Sequence, residues 1–112
     1  ILEIGQNVNS INEIEGQYIG LMKFQGKSLK FIKKFYEKTK EQARESGKNP
    51  LNPRIPFRKS YMTDFLQYLI RNNAKLKAVY IKNGWLELDS MNDYKTYQTL
   101  MESGNLPKFF RI

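Results

Sequence analysis

Asn83-Gly84-Trp85-Leu86-Glu87-Leu88-Asp89-Ser90 reads as a turn, a short strand and the start of a helix. A period of two puts Leu86 and Leu88 on one side of such a strand and Glu87 and Asp89 on the other. Carboxylates two positions apart on one strand face lie roughly 7 Å apart at the backbone. That is within reach of one metal ion, or of one cation carried by a polyphosphate. Asp89 also closes the strand, and open α/β sheets bind their ligands at strand ends. A solvated edge strand with two surface acids is the simpler reading of the same pattern.

Working outward, Lys77-Ala78-Val79-Tyr80-Ile81 reads as the partner strand, with Asn83-Gly84 between the two apolar runs as a hairpin signal. Ser90 is placed to cap a final helix over about 90–103, with Asp93 as its capping-box partner. Met91, Tyr94, Tyr97 and Met101 form the stripe of that helix, and Gly104 stops it. The tail from Asn105 to Ile112 carries Phe109 and Phe110, which are expected to dock against the body.

Upstream, Ile1–Asn9 looks like a short strand, where Gly5 signals a bulge or a close backbone approach. Gly16-Gln17-Tyr18-Ile19-Gly20-Leu21-Met22-Lys23-Phe24 is nearly continuous in apolar residues, the pattern of a strand covered on both faces. Gly20 at its centre implies that something needs the space: a packed helix or a substrate lying over the strand. Ser28 is placed to cap a helix to about Ser46, with Leu29, Ile32, Phe35, Tyr36, Thr39 and Ala43 as its stripe and Gly47 as its stop. Three prolines at 50, 53 and 56 exclude regular structure from the following loop, which is either a flap over a site or a plain surface connection. Ser60 then opens a helix to about Asn73. Met62, Phe65, Leu66, Leu69 and Ile70 give it the strongest periodicity in the chain. Asp64 in its first turn suits the helix dipole.

With 112 residues the chain amounts to one domain at most, with a modest core. It has no cysteine and no histidine, which removes disulfides, thiol nucleophiles, structural zinc and imidazole acid–base chemistry together. Any chemistry must rest on carboxylates, Lys, Arg, Tyr, hydroxyls or a hard cation bound by oxygen. The net charge of +8 favours anionic partners. Its basic residues concentrate between Lys27 and Lys59, most of them on what reads as the wet face of the first long helix. No apolar run approaches the length of a membrane span. With no leader visible and no cysteine, a cytoplasmic location is the expectation. The first residue is Ile1 rather than Met, and strands this few leave a sheet edge open. Together these suggest part of a larger domain.

Three segments, in this order and spacing, resemble a known family: Glu3–Gln6 through Glu15–Lys23, then Tyr61-Met62-Thr63-Asp64-Phe65-Leu66-Gln67, then Gly84 through Tyr94. They are similar to the C-terminal half of the sugar-phosphate and phosphocholine-type nucleotidyltransferases, the cytidylyltransferases among them. The third segment matches the family pattern most specifically. The resemblance implies an α/β fold: the C-terminal part of a Rossmann-like nucleotide-diphospho-sugar transferase, a mixed sheet flanked by helices. Residues 1–112 would form a single partial domain, the acceptor and metal side. The implied reaction moves a nucleotidyl group, CMP by the closest-looking branch, from a nucleoside triphosphate such as CTP to a phosphorylated acceptor. That acceptor would be phosphocholine, an aminoalkyl phosphonate or a sugar phosphate, and pyrophosphate would leave. Mg2+ is the implied cofactor. By resemblance Asp89 matches the family's late metal-binding Asp, with Glu87 beside it as ligand or neighbour. Gln17 and Tyr18 fall on the acceptor side of the pocket. Trp85 could wall an alkylammonium group by cation–π contact, or simply pack in the core. The family's Gly-rich triphosphate loop has no counterpart in this sequence, so the remainder of the domain is the expected partner and this chain alone is expected to be inactive.

Two other readings compete. Tyr and Phe interleaved with Lys between 23 and 36 would suit a basic nucleic-acid-binding module, although they fall on the helical stripe. A catalytically inactive structural half-domain would need none of the site residues.

Overall fold

The computed structural model describes residues 1–110 and divides the chain into two compact units, Ile1–Ala78 and Val79–Ile112. Three α-helices carry the structure: α1 (Lys27–Ser46), α2 (Met62–Arg71) and α3 (Met91–Glu102). Short 3-10 turns lie at Ile11–Glu13, Phe57–Lys59 and Leu106–Lys108.

The first unit is organised on α2. Most of its periodic face is covered: Phe65, Leu66 and Leu69 are buried, with Leu69 at 1% exposure, and Leu51 of the preceding loop joins them, while Met62 at the start of the stripe is exposed. α1 lays its stripe against this cluster through Ile32 and Phe35. The Phe35 ring meets Tyr68 edge-on at 6.4 Å, and Tyr36 sits 6.0 Å from Phe57 and 6.1 Å from Phe65. Thr39, fully buried on α1, returns its hydroxyl to the Tyr36 carbonyl at 2.8 Å, which satisfies a group that would otherwise be costly to bury. Gly47 ends α1 in the left-handed region, with its N–H on the Ala43 carbonyl.

Both helix starts in this unit differ from expectation. α1 begins after Gly26, while Ser28 turns back to Gln25, accepting its N–H and donating to its carbonyl. α2 begins after Tyr61, whose N–H donates to Asp64 Oδ2 at 2.8 Å. The acid supplies the reciprocal half of a capping box without the Ser.

The expected α/β mixed sheet is not present. Among the described residues there is no strand: 1–9, 16–24, 77–81 and 85–89 run without a ladder. The physical reason is that a strand is a property of two segments. Period-two patterning selects a face but supplies no hydrogen-bonding partner, and these stretches find none in one another. The apolar run 16–24, read as a doubly covered strand, leaves Leu21 74% exposed. Gly20 holds φ +78 with open space where a Cβ would stand, so it answers a backbone requirement and not a packed neighbour. Gly5 does mark a close approach: a Cβ there would lie 2.7 Å from Thr63 Cβ.

In the second unit Asn83 and Gly84 both hold positive φ, +58 and +81, but the expected hairpin is absent among the described residues: the chain bends there with no strand on either side. The partner of this bend is the tail instead of a returning strand. Gly84 N–H donates to the Phe109 carbonyl at 2.7 Å, and Asn83 Nδ2 donates to the Lys108 carbonyl at 2.9 Å. Val79, on the expected partner strand, is 85% exposed. The expectation for the last two residues, 111 and 112, lies outside the described residues.

Candidate functional site

The acidic stretch keeps its place in front of α3 even without a sheet. Ser90 caps α3, its Oγ accepting from Asp93 N–H at 3.2 Å. Asp93 Oδ2 reaches back to accept three donors: Ser90 Oγ at 2.7 Å, Ser90 N–H at 2.8 Å and Asp89 N–H at 3.2 Å. One turn along the helix, the Tyr97 hydroxyl donates to the Glu87 carbonyl at 2.7 Å. The backbone from Glu87 to Ser90 is thus held at two points by side chains of one helix face, four residues apart. Neither clamp uses the carboxylates of Glu87 or Asp89. Asp89 is exposed and Glu87 half-buried.

The electrostatics of this corner are set by Asp93. The Ser90 hydroxyl, the largest influence, holds its carboxyl below its ordinary value of 3.8; desolvation opposes this, and the Ser90 and Asp89 amides add to the lowering. Asp93 therefore stays charged and acts as an acceptor.

Among the described residues no group of three or more acids gathers into a cage. Glu87 and Asp89 stand two positions apart in sequence, and no strand sets their carboxylates on a common face.

The other expected site residues belong to different surroundings. Tyr18 is half-buried and packs on the apolar cluster of the first unit, while Gln17 is exposed. Trp85 is 44% exposed beside the turn. The sequence pattern places Tyr97 on the stripe of α3, whereas in the structure its hydroxyl clamps the backbone at Glu87. A hydroxyl on a helix ten residues beyond Glu87 is the signal that could have pointed to it. The aromatics of α1 that suggested base stacking are engaged by α2 and the loop before it, at Phe35 and Tyr36.

Over 93 residues the chain is 41% identical to a CTP:phosphoglutamine cytidylyltransferase from Campylobacter jejuni subsp. jejuni serotype O:2. Over that span it is similar to a cytidylyltransferase. The match takes in 83% of this chain and 34% of that protein, so the chain spans about a third of the length of the curated relative it matches. No family model matches, and no solved structure matches. No described helix is long and apolar enough to cross a membrane.

Proposed function

We propose that this chain is the acceptor-and-metal part of a cytidylyltransferase that transfers CMP from CTP to a phosphorylated small molecule and releases pyrophosphate. The observation that carries the reading is the 41% identity over 83% of the chain. It is supported by the clamped Glu87–Ser90 stretch, whose two acids are left free to face a ligand. Phosphoglutamine, named in the relative, is the first acceptor to try; phosphocholine and aminoalkyl phosphonates follow.

In this reading Asp89 is a magnesium ligand and Glu87 a second ligand or a neighbour that orders bound water. When bound, magnesium neutralises charge on the phosphates and aligns them. Such transfer needs charge neutralisation and positioning more than a protein base, so a chain without His or Cys can serve it. Asp93 and Tyr97 fix the backbone that presents the acids. Gln17 and Tyr18 are proposed to border the acceptor, and Trp85 to contact its apolar or cationic part. The triphosphate would be cradled by the remainder of the domain.

The test is pyrophosphate release from CTP and phosphoglutamine by the full-length protein. Asp89→Asn should lower the rate on the order of a hundredfold, equivalent to a few kcal/mol of transition-state stabilisation, with the melting temperature unchanged. Glu87→Gln should cost less. Full activity in Asp89→Asn would end the metal assignment, and turnover by residues 1–112 alone would end the division of labour.

A further inference from the structure

The loop between α1 and α2 is unusually well determined for a surface connection. Asn49, only 6% exposed, braces it from within. Its Nδ2 donates to the Ile55 carbonyl at 3.0 Å and to Ser60 Oγ at 2.8 Å, while its Oδ1 accepts Leu51 N–H at 3.0 Å. Asn52 adds a second brace, accepting Arg54 N–H at 3.1 Å and donating to Asp64 Oδ1 at 3.0 Å. Lys48 N–H is held by Ser46 Oγ at 3.2 Å. The backbones of two cationic residues, Lys48 and Arg54, are therefore fixed to α1 and α2 respectively.

Both line one open cleft of about 410 Å³, together with Asn49, Ala43, Ile55 and Phe57. No carboxylate lines it. Between Glu45 and Asp64 the sequence holds Lys48, Arg54, Arg58 and Lys59 and not one acid. Asp64 is engaged on both oxygens, by Asn52 and by the Tyr61 amide. Among the described residues neither Lys48 nor Arg54 enters an ion pair, whereas Lys40 and Arg44 on α1 each find a glutamate. The negative end of the α1 dipole abuts this cleft, and Arg44 in the last turn is already paired with Glu41.

We propose that this cleft binds a phosphate monoester of a small molecule, with the dianion between Lys48 and Arg54 and the organic body against Ile55 and Phe57. Two cations match the charge of the monoester. An arginine with a fixed backbone offers the forked donor pair that phosphate oxygens accept. The apolar wall distinguishes the site from one for bare phosphate. The proposal stands whether or not the chain takes part in nucleotidyl transfer.

Phenyl phosphate, inorganic phosphate and phenol are titrated into isotopically labelled residues 1–112, following backbone amide shifts. Phenyl phosphate should shift amides of 47–57, inorganic phosphate the same ones at higher concentration, and phenol none. The double variant Lys48→Gln/Arg54→Gln should weaken phenyl phosphate about tenfold or more. Lys30→Gln/Lys34→Gln, the same charge change on α1, should leave it intact. Arg54→Gln alone serves if the double variant fails to fold. Shifts centred elsewhere, equal weakening by both double variants, or phenol binding as well as phenyl phosphate would each overturn the proposal.

Discussion

The hydroxyl of Tyr97 donates a 2.7 Å hydrogen bond to the backbone carbonyl of Glu87. A helix side chain thereby fixes the main chain at Glu87, two residues before Asp89, without engaging either carboxylate. Tyr97→Phe removes the donor and keeps the ring. The loss should be about 1 kcal/mol in denaturant unfolding of this chain. If the acidic stretch binds magnesium, the full-length protein should also need more of it to reach half-maximal rate, with the CTP requirement little changed. A merely structural Tyr97 would leave the magnesium requirement where it was.

Acid should loosen the start of α3. The folded state depresses the Asp93 carboxyl, chiefly through the Ser90 hydroxyl. Its contribution is therefore complete above the unfolded value and is lost as pH falls through the lower, folded one. The window lies at and below the ordinary 3.8. Amide signals of 89–93 should respond to acid in that window, and Asp93→Asn should abolish this response.

Asn49→Ala leaves the Leu51 amide and the Ile55 carbonyl without their partner in a covered site. The expected destabilisation is about 1–3 kcal/mol, read from the urea midpoint. Asn52→Ala, in a more open position, should cost less.

Gly5→Ala sets a methyl group against Thr63 at a backbone angle of φ +64. Strain and overlap together should cost roughly 1–3 kcal/mol. Gly20→Ala has the same kind of backbone angle but open space, so it should cost only the conformational part. The difference between the two melting curves measures the contact.

The helices were legible because each element carries its own evidence. α1, α2 and α3 lie within two or three residues of the ranges read from periodicity, from the Ser90–Asp93 box and from Gly47 and Gly104. The positive φ at Asn83 and Gly84 is likewise a local demand of their residue types, although the hairpin it was read to close does not form. The sheet was misread because Leu86 and Leu88, or Val79 and Ile81, state which face is apolar but not what they pair with. At the candidate site, the shared face of Glu87 and Asp89 rested on a strand that does not form, whereas the Asp93 cap could be read from spacing. Tyr97 could not, because its stripe position explained it as an apolar residue. Nor could the cleft of Lys48 and Arg54, which exists only once Asn49 and Asn52 have folded the loop.

All the buried apolar side chains among the described residues, Leu51, Phe65, Leu66 and Leu69, belong to the first unit, and α3 buries none. Hydrogen exchange should separate the two. Amides of Leu66 and Leu69 should open only with global unfolding, whereas those of α3 should exchange through cheap local fraying. The acids of the candidate site thus stand before a helix that has no buried residue. Occupancy at Glu87 and Asp89 would then register first as slowed deuterium uptake along Met91–Glu102, a ligand assay that needs no turnover.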